Sequence, residues 1–231
     1  MSVEAAAAVL LIGVPIAFNA AFFELGRAFD YPDILRKEPE EILRRFAAGG
    51  AGLILRWEAL LLSALAMLPL VAVVAVVLEP PAALAVASVV VGAAAALVQA
   101  LGLVRWAFAV PELARRYAAA DGPEAAATRR SIEVVFATIH RLFGVGIGEH
   151  LGYLLTGLWT LLTAASVLAA SLLPTWLGVV GIPIGVAMLA GSLEFVGANE
   201  ERGWAIAGAI VPIAYVAWSL WLVALGVFIL L

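Results

Sequence analysis

The run His140-Arg141-Leu142-Phe143-Gly144-Val145-Gly146-Ile147-Gly148-Glu149-His150-Leu151-Gly152-Tyr153 continues through Leu154 to Ala170. It holds both histidines of the chain, and it sets an acid beside an imidazole, Glu149-His150, where a long apolar stretch begins. A charged residue inside such a stretch is costly, so it marks a functional site or a buried ion pair. Gly144, Gly148 and Gly152 recur at the small-xxx-small spacing by which helices in a bilayer pack closely. The stretch reads as the point where a cytoplasmic surface helix becomes a membrane span and a polar pocket opens.

The segments on either side repeat the pattern of apolar runs between short charged groups. Hydrophobic residues make up 65% of the 231, charged residues only 13%, and the mean hydropathy is +1.10; a soluble domain carries about 25% charge. The apolar runs Ala5–Phe23, Gly52–Leu78, Ala82–Val110, Gly144–Leu173, Leu177–Val196 and Gly203–Leu231 approach or exceed the ~20 residues that cross a bilayer. No ~10-residue alternating pattern of a membrane barrel occurs. The expected fold is all-α: a polytopic membrane bundle of six transmembrane helices and two cytoplasmic amphipathic surface helices, one transmembrane domain over residues 1–231. The first run follows no basic segment and is longer than a signal-peptide core, so it reads as a retained span.

The first surface helix is expected from Pro39 to Ala48. Glu40 and Glu41 stand in its first turn and Arg44 and Arg45 in its last, matching the helix dipole. Ile42, Leu43 and Phe46 form one apolar face. The second opens at Asp121-Gly122-Pro123-Glu124. At the α-helical period Ile132, Val135, Phe136, Ile139, Leu142 and Phe143 share one side, and Arg129, Arg130, Glu133, His140 and Arg141 the other. His140 is therefore expected in solvent near Glu133.

All thirteen Lys and Arg fall at the ends of spans joined by the loops after spans one, three and five. By the positive-inside rule those loops are cytoplasmic and both termini point outward, in what the Ala- and Arg-rich composition suggests is a bacterial inner membrane. With no cysteine, thiolate chemistry, disulfides and iron–sulfur clusters are excluded. No Gly-x-x-x-x-Gly-Lys loop or dinucleotide fingerprint occurs. No nucleic-acid partner is expected. The expected partners are membrane lipids and a small-molecule or lipid ligand, and a homo-oligomer is left open.

The polar residues within the spans are Asn19, Glu24, Arg56, Glu58, Gln99, Arg105, Glu149, His150 and Glu194. All lie within about two turns, or ~10 Å, of a basic span end. One reading is structural: Arg56, Glu58 and Arg105 snorkel to the interface and the rest form ion pairs. The other is a ligand or proton site built from Glu149, His150, Tyr153, Arg56, Glu58, Arg105, Gln99, Glu194 and Asn19. Glu149, Gly152, Tyr153, Thr156, Trp159, Thr160 and Thr163 share one helical side, opposite Leu151, Leu154, Leu155, Leu158 and Leu162. Glu149 is thus expected to face inward, within reach of Arg56 or Arg105. Glu58, Glu149 and His150 have no recognised metal-ligand spacing, so no metal is assigned, and the sequence names no cofactor.

Three functional classes fit. The first is a small carrier, permease or ligand-sensing protein whose polar pocket opens to the cytoplasm. The second is an intramembrane enzyme acting on a lipid or isoprenoid, with Glu149 and His150 as acid and base. The third is a non-catalytic partner subunit. The first is preferred because the acids and bases balance and no nucleophile is evident.

Four strings carry a family resemblance: Phe29-Asp30-Tyr31-Pro32-Asp33-Ile34-Leu35 with the Glu-Glu-x-Leu helix after it; Gly148-Glu149-His150-Leu151-Gly152-Tyr153 with Leu158-Trp159-Thr160; Leu173-Pro174-x-Trp176-Leu177-Gly178-x-x-Gly181; and Trp218-Ser219-Leu220-Trp221-Leu222. Over residues 29–62 and 140–231 the chain resembles the bacterial integral-membrane family called domain of unknown function 4386. The resemblance implies a multi-span helical protein and brings no activity or site residues with it.

Overall fold

In hydrocarbon every backbone N–H and C=O must be paired within the protein, and a long apolar run does this as a helix. The computed structural model describes residues 2–170 and 172–231, and all regular structure among them is helical. Met1 and Ser171, the latter inside the expected fourth span, lie outside the described residues. Six helical stretches are long and apolar enough to cross a membrane: Val3–Phe29, Pro39–Leu78, Ala82–Ala119, Ala125–Ala169, Thr175–Phe195 and Ala205–Ile229.

Three of these stretches are compound, and prolines and glycines explain where they break. The first helix, α1 (Val3–Phe29), is capped by Ser2 and stops at Asp30, which adopts the left-handed conformation. Next, α2 (Pro39–Leu65) takes in the expected surface helix and the start of span two, with a bend at Gly50, whose φ of 56° suits glycine. A second bend at Ala66 leads to α3 (Met67–Leu78). Pro69 lacks an N–H and so releases the carbonyl of Leu65 at that bend. Likewise α4 (Ala82–Ala107) passes into α5 (Ala109–Ala119) through Phe108, where Pro111 leaves the Ala107 carbonyl without its helical donor.

The fourth stretch departs most from expectation. Helix α6 (Ala125–Ile139) runs into a π-helical segment, His140–Leu151, before α7 (Gly152–Ala169) resumes normal pitch. The i→i+5 turn is wider than an α turn and is usually confined to one turn at functional sites. The α-helical period used to sort residues 121–143 therefore fails beyond Ile139. Ile132 and Phe136 are buried as expected, but Val135 is exposed and Leu142 is 56% exposed. Helix α6 touches the bundle along one narrow stripe, and the change of pitch carries Leu142 away from it. The chain ends with α8 (Thr175–Gly191), a 3₁₀ turn (Ser192–Phe195), α9 (Ala198–Arg202) and α10 (Ala205–Ile229).

Consecutive long helices run antiparallel. Helix α7 packs on α8 through Gly157 and Gly185, and α1 packs on α10, with Gly226 against Leu11 and the Ala8 carbonyl. Two clusters fill the bundle. Leu11, Met67, Trp159, Trp218 and Trp221 belong to one, toward the end without Lys or Arg. Phe29, Phe46, Trp57, Trp106 and Phe136 belong to the other, at the basic end. Leu55-Arg56-Trp57 and Val104-Arg105-Trp106 pass in the sequence for a chance likeness or a shared interface role. In the fold their tryptophans stack face to face, 4.4 Å between centroids and 7° from parallel. The apolar face of the expected first surface helix, Ile42, Leu43 and Phe46, is buried in this second cluster.

Candidate functional site

Beside the aromatic cluster at the basic end lies a cavity of about 2000 Å³. Its walls come from α1, the loop 30–38, α4, the π-helical segment, the Ser192–Phe195 turn and α10. Six basic side chains line it against four acidic ones, although the whole chain carries a net charge of −4.

Arg105 is the most constrained of the lining charges. It is only 6% exposed. It donates from Nη1 to the Gly102 carbonyl, lies over the Trp106 ring and leaves Nε without a partner. Among the described residues no carboxylate comes within 4.0 Å of it. Gly144 makes room for it: a Cβ there would stand 2.6 Å from Nη2. Immediately beyond, Gly102 of α4 meets the backbone of Gly148. Gly152 faces Gln99, so the three glycines of the π-helical segment and α7 form the floor on which α4 lies.

Glu149 also lines the cavity and makes no ion pair within 4.0 Å among the described residues. Arg105, Arg36, Glu194 and Glu200 line the same cavity. The expected partnership with Arg105 thus acts across the cavity and not as direct contact. Arg56 plays no part in it. Arg56 sits on the outer surface of α2, paired with Glu24 at 3.7 Å and bonded to the Gly52 carbonyl.

Three of the four tyrosines, Tyr31, Tyr153 and Tyr215, surround the same space. They come from the loop after α1, from α7 and from α10. Tyr153 meets Tyr215 edge to face at 5.1 Å, and Tyr31 meets Phe22 at 4.8 Å. Burial pushes the Tyr31 phenol up from its usual range, with Glu149 adding to the effect and Arg105 opposing it, so this hydroxyl stays neutral and can both donate and accept.

The other expected site residues divide between wall, scaffold and exterior. Gln99 and Asn19 line the cavity. Gln99 donates to Thr156 Oγ1 at 2.9 Å, and Asn19 to the Pro15 carbonyl and Ser219 Oγ at 2.7 and 2.9 Å. Glu194 is buried and accepts from Arg36 at 2.6 Å, tying the 30–38 loop to the turn after α8. His150 does not line the cavity; its Nδ1 donates to the Ser192 carbonyl at 2.9 Å. Glu58 lies on α2 outside the cavity walls.

His140, expected in solvent near Glu133, instead lines the cavity, stacked on Phe136 at 5.4 Å and edge-on to Trp106. Glu133 accepts from Tyr117. His140 follows Phe136 by one α-helical turn, and its N–H still bonds the Phe136 carbonyl, so the imidazole lies on that buried ring at the edge of the apolar stripe. Tyr31, Tyr215 and Arg36 are further wall residues that sequence reasoning passed over. The loop 30–38 looks like a solvated connector, and only its folding back against Phe22, Trp57 and Glu194 brings Tyr31 and Arg36 inward.

Chemically, the site offers one buried guanidinium, one carboxylate without an ion pair among the described residues, and three phenol hydroxyls around an aromatic-walled space. That set suits holding a polar or charged group. Among the described residues no three His, Asp or Glu side chains come together as a metal-ligand set. Neither a curated protein nor a solved structure matches the chain. Its sequence matches a family profile across residues 6–226, well beyond the strings that carry the resemblance. Six membrane-length helices around a polar cavity are thus the architecture of a chain that belongs to the family described as "Domain of unknown function (DUF4386)".

Proposed function

We propose that this protein is a small carrier, permease or ligand-sensing membrane protein that holds its ligand in the cavity at the basic end of the bundle. One observation carries the reading. Arg105, Glu149 and three tyrosines line one space, and among the described residues no ion pair or side-chain hydrogen bond joins them into a closed structural network. Among these groups Arg105 Nε is fully buried without a partner, which costs about 1–3 kcal/mol, and the Glu149 and tyrosine side chains line the space beside it, so the set points to a ligand that completes it. The lipid- or isoprenoid-enzyme reading needs Glu149 and His150 in one site, and His150 is engaged elsewhere, with Ser192. The third reading, a non-catalytic partner subunit, gives these groups no task.

The test is unbiased mass spectrometry of the protein purified in native lipid particles. The Tyr153→Phe/Tyr215→Phe variant keeps the rings and removes two hydroxyls. A bound molecule should be recovered with the parent chain and fall about tenfold in the variant, the effect of losing roughly 1.4 kcal/mol. Equal recovery from both would sink the cavity reading.

In this proposal the chain is one transmembrane domain, of bacterial inner-membrane type. Its basic loops are cytoplasmic by the positive-inside rule, with residues 39–48 and α6 lying along that face. The chain has no cysteine, so single ones can be introduced freely. Cysteines at Pro81 and Thr175 should react with an impermeant thiol reagent added to intact cells, and ones at Lys37 and Ala119 should not. The reverse pattern would overturn this orientation.

A further inference from the structure

The cavity has two mouths of different chemistry. One lies among charged side chains at the basic end, where Arg36, Arg141 and Arg202 line it. The other lies between α1 and α10. Phe23 and Val216 both line the cavity, yet they are 63% and 56% exposed on the outside of the bundle. The space therefore reaches through the seam between these helices. Its border there, from Ala20 and Phe23 on one side to Gly208, Pro212 and Val216 on the other, is apolar, with Arg27 over the Phe23 ring at its basic end.

The seam opens at a definite level. Toward the far end α1 and α10 are in close contact at Gly226, and at the edge of the cavity Asn19 bonds Ser219 at 2.9 Å and Phe18 stacks on Tyr215 at 6.3 Å. From Asn19 to Gly26 the helix rises by roughly 10 Å, and along this length the cavity separates the two. Helix α10 is built for such an opening. Pro212 has no N–H to give the Gly208 carbonyl, and a Cβ at Gly208 would meet nothing within 4 Å.

Resting on the ligand-binding reading above, we propose that the ligand is a membrane-resident amphiphile with an anionic head. It enters sideways between α1 and α10, sets its carboxylate or phosphate on Arg105 and leaves its chain in the seam. Three observations agree on this occupant. Arg105 is a buried cation at the cavity wall with no counter-ion within 4.0 Å among the described residues, and a charge-assisted bond from its guanidinium to an anion would complete it. The lining is basic in excess although the chain is acidic. The seam that joins the cavity to the outside at membrane depth is apolar, which suits an acyl or isoprenoid chain and rejects a free inorganic anion.

The experiment uses the whole protein in nanodiscs and a stearic acid probe carrying a diazirine in its chain. After irradiation, label should appear on peptides covering residues 18–27 and 204–216. It should be displaced by excess oleate but not by inorganic phosphate or acetate. Gly208→Trp, which plugs the seam where there is room for the ring, should lower labelling about tenfold. Gly13→Trp, on the open outer face of α1, should leave it unchanged. Arg105→Gln should lower labelling to a similar extent and Arg105→Lys much less, since lysine restores the charge. Equal labelling by a trimethylammonium probe of the same chain would refute the anionic head. Full labelling of Gly208→Trp would refute lateral entry. In either case a bound molecule that still depends on Tyr153 and Tyr215 would leave the cavity reading standing, so the two failures are separable.

Discussion

Replacing Gly102 with leucine is expected to leave little folded protein after detergent extraction. A Cβ at this position would lie 2.5 Å from the Gly148 Cα and 3.0 Å from the Phe143 carbonyl oxygen. Both are backbone atoms of the π-helical segment, so no rotamer change can relieve the clash. Overpacking costs about 1–3 kcal/mol where side chains can adjust. Here α4 must separate from the segment that carries Glu149, and the cost should reach or exceed the top of that range. Lipid offers no hydrophobic drive to hold separated helices together, since association rests on close packing. The measure is the monodisperse fraction on size exclusion and the melting midpoint. Gly13→Leu, with open space at its Cβ, is the control and should melt like the parent. An unchanged melt for Gly102→Leu would mean that α4 does not lie against the π-helical segment.

Arg105→Met should move stability and binding in opposite directions. The guanidinium is buried, has no carboxylate within 4.0 Å among the described residues and leaves Nε unpaired. Apolar replacements of buried charges are often neutral or stabilising by about 1–4 kcal/mol, and methionine retains much of the packing volume beside Trp106. The unliganded variant should therefore melt at or above the parent midpoint. Recovery of the bound molecule should fall at least about tenfold, because the charge-assisted bond to the ligand is gone. A variant that melts lower and keeps its ligand would show that Arg105 is a structural residue, the snorkelling role the sequence also allows.

Membrane character and span number were written in the sequence because they rest on a one-dimensional property. An apolar run of sufficient length forms a helix in lipid whatever its neighbours do, and the six expected runs correspond to six membrane-length helices. The side of α7 that faces inward was legible for the same reason: Thr156, Trp159, Thr160 and Thr163, sorted by the α-helical period, are all buried. So was the close packing of Gly144, Gly148 and Gly152, since small residues at that spacing leave a flat strip wherever they occur.

The composition of the site was decided elsewhere. Arg56 and Arg105 stand in near-identical strings, yet one lies on the outer surface with Glu24 and the other is buried at the cavity. Which arginine turns inward depends on how α2 and α4 roll to stack Trp57 on Trp106, and no local pattern records that roll. His150 and Glu149 are neighbours in sequence and part company because consecutive residues of a helix point about a quarter-turn apart, which here sends one to Ser192 and the other to the cavity. Tyr31 and Arg36 reach the cavity only because the loop after α1 folds back and is held by Glu194, 158 residues further along the chain. The sequence by itself therefore determined which segments enter the membrane and which end of them is basic. Tertiary packing alone decided which polar groups share one space, because that depends on helix rotation, local pitch and contacts between residues far apart in the chain.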